Sequence, residues 1–396
     1  MVTTEYPPMH GGVGRYTFNL VRELRKVGLV VQVVCNEHGD GDYLGLAPSN
    51  DKNYEVLLEI VNKVSPDIVH IQYEHGLYGL LLDPFDPRKT RTNVDRFYDK
   101  CPLPIVTTFH TSFTFKQWMS LVIPTKNYDK FGRVAIIGHK LKKYCAHIVN
   151  YNSFNDLNKT KLRKSNEGIV FSKYMRDKIG GGKVIYHGAE PVIPFPSSKK
   201  QARARFALPE NGRIALAVGF RTATKGWDIF NKMNVPSPWK VVLNSSKNHY
   251  NVENFNPRFD GKKGIISLDM DFLNDTELSL LFYAADAVIL PYKVSSGSGV
   301  MFDAIAHGLP FVASDLEFFR EFSLMGLGLA VKRNDKSFTQ ALKDLDTNYE
   351  SYLKNVNAFK SNIRWDSIAR KHVEIYEGII KNTITQVKNE SQSSSI

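Results

Sequence analysis

Along this 396-residue chain, short apolar runs of strand length alternate with longer stretches of helical periodicity, and the alternation occurs twice. Strands that read as continuous apolar runs are covered on both faces, as in a parallel sheet sandwiched between helices. The first series comprises 30–35, 67–71, 104–109, 147–151, 168–171 and 183–186. The second comprises 213–218, 239–243, 264–268, 287–291, 309–313 and 327–331. Between them, residues 191–198 (PVIPFPSS) concentrate proline and serine, and proline cannot continue regular structure, so a linker belongs there. The expected class is α/β, with two doubly wound, Rossmann-like domains over 1–192 and 200–364. The polar, serine-rich stretch 382–396 is expected to form a flexible tail.

At 42% hydrophobic and 12% aromatic residues, the chain can fill two cores, which excludes a disordered or fibrous protein. Cys35, Cys101 and Cys145 are isolated and form no Cys-x-x-Cys pair, so neither a disulfide framework nor a cysteine zinc site is expected. A reducing, cytoplasmic setting suits such thiols. No run approaches the ~18 apolar residues of a membrane span, so any membrane contact is expected to be peripheral, on the inner face.

The positive charge is concentrated. Residues 110–180 carry 14 Lys/Arg against 4 Asp/Glu, a net +10 out of the chain's +12. Such a region attracts anions, among them lipid headgroups, phosphorylated substrates and nucleic acid. Within it, Phe131, Val134, Ala135, Leu141, Cys145 and Ile148 recur at helical steps between basic residues, predicting an amphipathic helix. Its apolar stripe is expected in the core, and an anionic membrane surface is the alternative partner. No recognisable nucleic-acid module accompanies the charge, so specific nucleic-acid binding is not expected.

Three segments carry candidate chemistry. In EYPPMHGGVGRYTFNL, Gly11, Gly12 and Gly14 precede an apolar helical pattern, so a phosphate or sugar oxygen could approach the backbone at a helix start. Read as a dinucleotide fingerprint the segment fails, because Thr17 stands at the last glycine position. Only 1–5 precede the Tyr-Pro-Pro turn, few residues for a strand. In AVGFRTATKGWDIF, Arg221 and Lys225 follow a strand, where ligands of open α/β sheets bind, and two fixed cations there suit a diphosphate. In LPYKVSSGSGVMFDAIAHGLPFVASD, a serine-glycine turn opens a helix and supplies amides and hydroxyls for an anion. Asp303 lies one turn further on, within reach of ribose hydroxyls.

The order GGVGR, TFHT, GFRTATKG and SSGSGVMFDAIAHGLPFVASD resembles retaining glycosyltransferases of the GT-B fold, in the large family-four class of sugar-nucleotide-dependent enzymes, over nearly the whole chain. The resemblance implies two Rossmann-like domains facing a central cleft, with the acceptor on the N-terminal domain and the donor mainly on the C-terminal one. It implies that Arg221 and Lys225 hold the diphosphate, that the Ser298, Gly299 and Val300 backbone assists, and that Asp303 binds ribose in place of the family's second glutamate. Gly11 and Gly12 would also line the donor. Ser295 occupies the place of the family's first glutamate, a departure at the donor sugar. His110, at a strand end, matches the family histidine near the sugar and acceptor, and Glu74 is a weaker acceptor-site carboxylate. His10, Arg15 and Tyr16 are lesser candidates. The segment 365–381 resembles the family's helix that crosses back to the first domain.

The expected activity is transfer of a sugar from a nucleoside diphosphate sugar, a co-substrate, to a hydroxyl of a glycan or lipid-linked acceptor. No cofactor and no metal are expected. The Asp-x-Asp spacings at Asp40–Asp42, Asp269–Asp271 and Asp344–Asp346 read as chance, since basic residues can neutralise the leaving diphosphate. Ser295 and the short first strand leave a second reading, a scaffold that binds nucleotide sugar or glycan without turnover. An epimerase of the same fold is a third.

Overall fold

Both parallel sheets are present in the computed structural model, which describes residues 1–82, 86, 89–121, 133–196, 198–247 and 262–393. The chain divides into two compact units, Met1–Tyr186 with Ile368–Ile396, and His187–Ser367.

In the first unit, helices α1 (Gly12–Lys26), α2 (Asn53–Val64), α3 (Asp95–Lys100), α4 (Phe115–Ser120), α5 (Arg133–Arg163) and α6 (Lys173–Ile179) alternate with short strands. The strands are β1 (Val34–Cys35), β2 (Tyr43–Leu44), β3 (Val69–Tyr73), β4 (Ile105–Phe109), β5 (Glu167–Val170) and β6 (Lys183–Val184). β1 pairs with β2, and β3 to β6 follow one another in order, every pair parallel. The two groups meet through the first residues. Val2 bridges Val34 on one side and Ile71 on the other. Its N–H donates to the His70 carbonyl at 2.8 Å, and its own carbonyl accepts from Gln72 N–H at 2.9 Å. A one-residue bridge thus does the work of the strand that 1–5 is too short to form.

The apolar run 147–151 is helical, contrary to the strand expected there. No glycine or proline separates it from its neighbours between Gly138 and Gly168, so the backbone continues uninterrupted through α5. Trp118 of α4 locks that turn, its indole N–H donating to the His147 carbonyl at 2.7 Å and its ring stacking on the imidazole at 4.5 Å. The amphipathic stripe is also corrected where it is described. Cys145 and Ile148 are exposed, together with Tyr144 and Val149, and burial on α5 begins at Asn150. The side chains of Phe131, Val134, Ala135 and Leu141 lie outside the described residues. Lys161, counted in the basic segment, is buried, paired with Asp95 and set over the Tyr73 ring, so it belongs to the core.

The second unit contains α7 (Lys199–Ala204), β7 (Arg213–Phe220), β8 (Trp239–Ser246), β9 (Ile265–Ser267), α8 (Asp275–Ala284), β10 (Ala287–Leu290), α9 (Gly299–Ala306), β11 (Phe311–Ser314), α10 (Glu317–Leu324), β12 (Gly328–Val331), α11 (Asp335–Thr347), α12 (Tyr349–Phe359) and the start of α13 (Trp365–Ser393). The sheet order is β12-β11-β10-β7-β8-β9, all parallel. On one face Trp227, Phe230, Trp239, Phe338 and Leu342 form a continuous core. Asp286, buried just before β10, accepts from Arg203 at 2.7 Å, Lys199 at 2.6 Å and the Ile214 amide at 2.7 Å, so the buried carboxylate is fully paired.

The second unit begins at His187, ahead of the proline-rich 191–198. The reason is local: the Ala189 amide already donates to the Ile363 carbonyl at 2.8 Å, and the His187 ring stacks on Phe302. α13 continues to Ser393, so 382–393 is helical where a tail was expected. From Ile368 onward α13 belongs to the first unit, where His372 and Tyr376 pack on His70 of β3.

Burial holds the imidazoles of His75 and His372 at about 3 and about 4, below the 6.5 of an exposed histidine, and pushes His70 well down as well. An unfolded chain therefore binds protons that the folded one refuses, so these groups leave stability whole above pH 6.5 and erode it as pH falls toward 4. Replacing His372 by Leu should shrink the difference in urea-unfolding free energy between pH 7 and pH 5 by about 2 kcal/mol. An unchanged difference would contradict the neutral, buried state of His372.

Candidate functional site

In the second unit the chain leaves β7 toward β8 and β9, then returns to place β10 on the opposite side of β7. Connections departing in opposite directions from neighbouring strands leave a crevice at their carboxyl ends, the usual ligand position in open α/β sheets. The two segments singled out in the sequence occupy those ends. Arg221 follows β7 directly, and the serine-glycine turn follows β10.

Cross-ties hold the two together. The Lys293 amide donates to the Thr224 carbonyl at 2.8 Å. Arg333 donates through Nε to the Pro291 carbonyl at 2.8 Å and through Nη2 to the Gly226 carbonyl at 3.2 Å. Gly226 has φ +74°, and a Cβ there would sit 1.8 Å from the Pro291 oxygen, so the close approach demands glycine. Lys225 lies beside this seam, its Nζ 3.9 Å from the centroid of the Tyr292 ring. Arg221 donates through Nε to the Ser245 carbonyl and hydroxyl, both at 3.1 Å. Among the described residues no carboxylate pairs with Arg221 or Lys225, whereas neighbouring Lys293 and Arg333 both pair with Asp228. The loop thus separates cations that hold the structure from cations available to a ligand.

In the turn, Ser295, Ser296 and Ser298 are buried. The Ser295 hydroxyl donates to the Gly297 carbonyl at 3.0 Å, so it braces the turn. Ser298 caps α9, its hydroxyl accepting from the Met301 amide at 3.2 Å. The amides of Gly299 and Val300 donate to nothing among the described residues, and they stand at the positive end of α9. A Cβ on Gly299 would meet only His187, at an ordinary 3.6 Å. Asp303 is buried on α9, and its carbonyl accepts from the His307 amide and Nδ1. His187 was not among the sequence candidates. Its place beside Gly299 arises from a contact between residues more than a hundred positions apart.

In the first unit, the glycine loop is already engaged by the chain itself. Glu5 Oε2 accepts from the Val13 and Gly14 amides, both at 3.0 Å, and so caps α1. A Cβ on Gly11 would fall 1.7 Å from the Glu5 carboxyl, and one on Gly14 3.0 Å from the Glu5 carbonyl, whereas Gly12 has nothing within 4 Å. Gly11 and Gly14 therefore serve packing, and only Gly12 presents open backbone to a ligand. Burial raises the Glu5 carboxyl against the pull of those two amides, with nearby Glu74 adding to the rise. Glu74 is raised by burial too, and it caps a 3-10 turn, accepting from the Leu77 amide at 3.1 Å and the Thr111 hydroxyl at 3.2 Å. His110, after β4, is only partly buried, with its ring between the edges of Tyr16 at 5.3 Å and Phe171 at 5.1 Å. Among the described residues no group of three or more His, Cys, Asp or Glu could hold a metal ion.

Replacing Gly11 by Ala should cost about 1–3 kcal/mol of stability by displacing Glu5, while Gly12→Ala should stay within about 0.5 kcal/mol. Chemical denaturation of the two variants checks this, and equal losses would contradict the division of labour.

No family model matches the sequence, and no curated protein matches it. Solved structures do match its shape. Sucrose-phosphate synthase from Thermosynechococcus elongatus superposes with a TM-score of 0.64 at 14% identity, covering 94% of each chain. HepE of Anabaena, solved with UDP and glucose, gives 0.61 at 13% identity, covering 95% of this chain and 98% of the other. A glycosyltransferase from Rickettsia africae gives 0.59 at 14%, covering 94% and 96%. With two parallel α/β units matched over nearly their whole length, the chain has the GT-B fold of the glycosyltransferases, built from two Rossmann-like domains.

Proposed function

We propose that the protein transfers a sugar from a nucleoside diphosphate sugar to a hydroxyl of a glycan or lipid-linked acceptor, with the anomeric configuration retained. The observation that carries this reading is the pair of cations without acidic partners, Arg221 and Lys225, cross-tied beside a serine turn whose helix-start amides are unspent. UDP bound in HepE, a protein of similar shape, supports a nucleotide ligand. As the glycosidic bond breaks, negative charge grows on the diphosphate. Arg221, Lys225 and the Gly299 and Val300 amides would stabilise that charge more than the ground state. Ser298 supports the turn, and Asp303 would bind the ribose. The leaving phosphate would accept the acceptor's proton, so no side-chain nucleophile and no metal is invoked. In the first unit, Gly12 and His110 would contact the sugar, with Glu74 holding the loop near the acceptor. Gly11 acts through Glu5.

Replacing both Arg221 and Lys225 by Ala should lower transfer by at least about 10³-fold with the fold intact by circular dichroism. Full turnover in that double variant would refute the assignment.

We further infer a peripheral membrane contact through α5. Tyr144, Cys145, Ile148 and Val149 lie on one face of that helix and are exposed, within the segment that holds most of the chain's positive charge. No helix among the described residues is long and apolar enough to cross a membrane. Co-sedimentation should show binding to vesicles containing phosphatidylglycerol that weakens as salt rises. Equal binding to neutral vesicles would contradict the electrostatic part of the contact.

A further inference from the structure

Consecutive residues of β8 hold Arg221 at both its root and its head. Its backbone N–H donates to the Ser246 carbonyl at 2.8 Å, one step past Phe220, the last residue of β7, which pairs with Ser246 in the ladder. Its side chain reaches the preceding residue of β8: Nε–H is shared between the Ser245 carbonyl and hydroxyl oxygens, each at 3.1 Å. A guanidinium has donors and no acceptor, so both oxygens accept and the direction of this three-centre bond is fixed. Among the described residues no hydrogen bond engages Nη1 or Nη2.

The same rung of the ladder locates Lys225. Ser245 pairs with Gly219 of β7, and a Cβ on Gly219 would lie 3.8 Å from Lys225 Cε and 3.9 Å from its Cδ. The Lys225 stem therefore crosses β7 at the rung whose β8 member anchors Arg221, while its Nζ sits over the Tyr292 ring. Cations gathered at one rung repel each other, and an anion between them relieves that repulsion. An arginine can grip a phosphoryl group side-on, through Nε–H and one Nη, or end-on, through both Nη. With Nε–H spent on Ser245, the end-on grip remains, and the long side chain is ordered before a ligand arrives, which lowers the cost of binding.

We propose that Ser245 is a positioning residue for Arg221: by taking Nε–H on its hydroxyl and carbonyl together, it reserves the two terminal nitrogens for end-on, bidentate capture of one phosphoryl group of a diphosphate, with Lys225 left for the other. The inference rests on the reading of this edge as a diphosphate site, but the anchor itself can be tested without a ligand. A carbonyl would remain with any residue at 245, so removal of the hydroxyl is the informative change.

The test pairs ¹H–¹⁵N NMR of the full chain labelled at arginine with calorimetric titration of inorganic pyrophosphate. The Arg221 Nε–H signal, identified by its loss in Arg221→Lys, should exchange with water about tenfold faster in Ser245→Ala than in the wild type. Ser245→Thr, which keeps the hydroxyl, should restore the slow exchange. Pyrophosphate affinity should fall about tenfold in Ser245→Ala, the scale of one hydrogen bond to a charged group, and stay within about threefold of the wild type in Ser245→Thr. In an Arg221→Lys background, which has no Nε, adding Ser245→Ala should change affinity by less than about twofold. The full loss in that background would show that Ser245 acts other than through Arg221, and unchanged exchange or affinity in Ser245→Ala would equally overturn the proposal. The expected change in exchange, in a protein that binds neither pyrophosphate nor UDP, would instead refute the diphosphate reading while upholding the anchor.

Discussion

The second unit depends on the seam where the loop after β7 meets the chain leaving β10. Parallel strands direct all their carboxyl ends to one edge, and reversal of strand order at β7 and β10 opens that edge. A loop in such a crevice must satisfy its own backbone without filling the space. Here Arg333 and the Lys293 amide take up the loop carbonyls, Asp228 takes up the charge of Arg333 and Lys293, and Gly226 permits the close approach to Pro291. What this leaves over is Lys225, held on the Tyr292 ring, and Arg221, tied through one nitrogen to Ser245. An aromatic face orients an ammonium without supplying a counter-charge, so Lys225 is positioned by Tyr292 rather than by an acid.

The first unit uses similar physics for a different end. Its glycine loop also opens a helix at the edge of a parallel sheet, yet the anion at that helix start is Glu5, from the same chain. A helix N-terminus capped by a buried carboxylate is stabilised locally and has fewer amides left for a ligand. The two units therefore differ at their helix starts: in the second the Gly299 and Val300 amides donate to nothing among the described residues, and in the first Glu5 takes up the Val13 and Gly14 amides. The hydrogen bond between His70 of β3 and the Tyr376 hydroxyl also ties α13 to the sheet.

Much of this architecture was legible in the sequence because strands buried on both faces must be apolar throughout. The run 287–291 reads as a strand by that rule, and Ala287–Leu290 is one. The rule misleads at 147–151 (HIVNY), where a run read as a strand despite His147 and Asn150 lies inside a helix whose length, rather than its periodicity, was the informative signal. The placement of Arg221, Lys225 and the serine turn at the carboxyl ends of β7 and β10 was legible because their loops follow apolar strand runs. Glu5 as the partner of Gly11 and Gly14 was not, since nothing in the local pattern says that a carboxylate folds back onto a loop several residues ahead of it. His187 and Ser245 were missed for a related reason: each matters through a neighbour distant in sequence. One signal for Ser245 did exist, because it stands just beyond the apolar run 239–243, at the sheet edge to which Arg221 also belongs.

The most direct measurement is calorimetric titration of the full chain with UDP and with uridine, at low and at moderate salt. If fixed cations and helix-start amides grip a diphosphate, UDP should bind, uridine should bind far more weakly, and the gap should narrow as salt rises. Equal affinity for the two, insensitive to salt, would contradict the central claim that the β7–β10 edge is a diphosphate site.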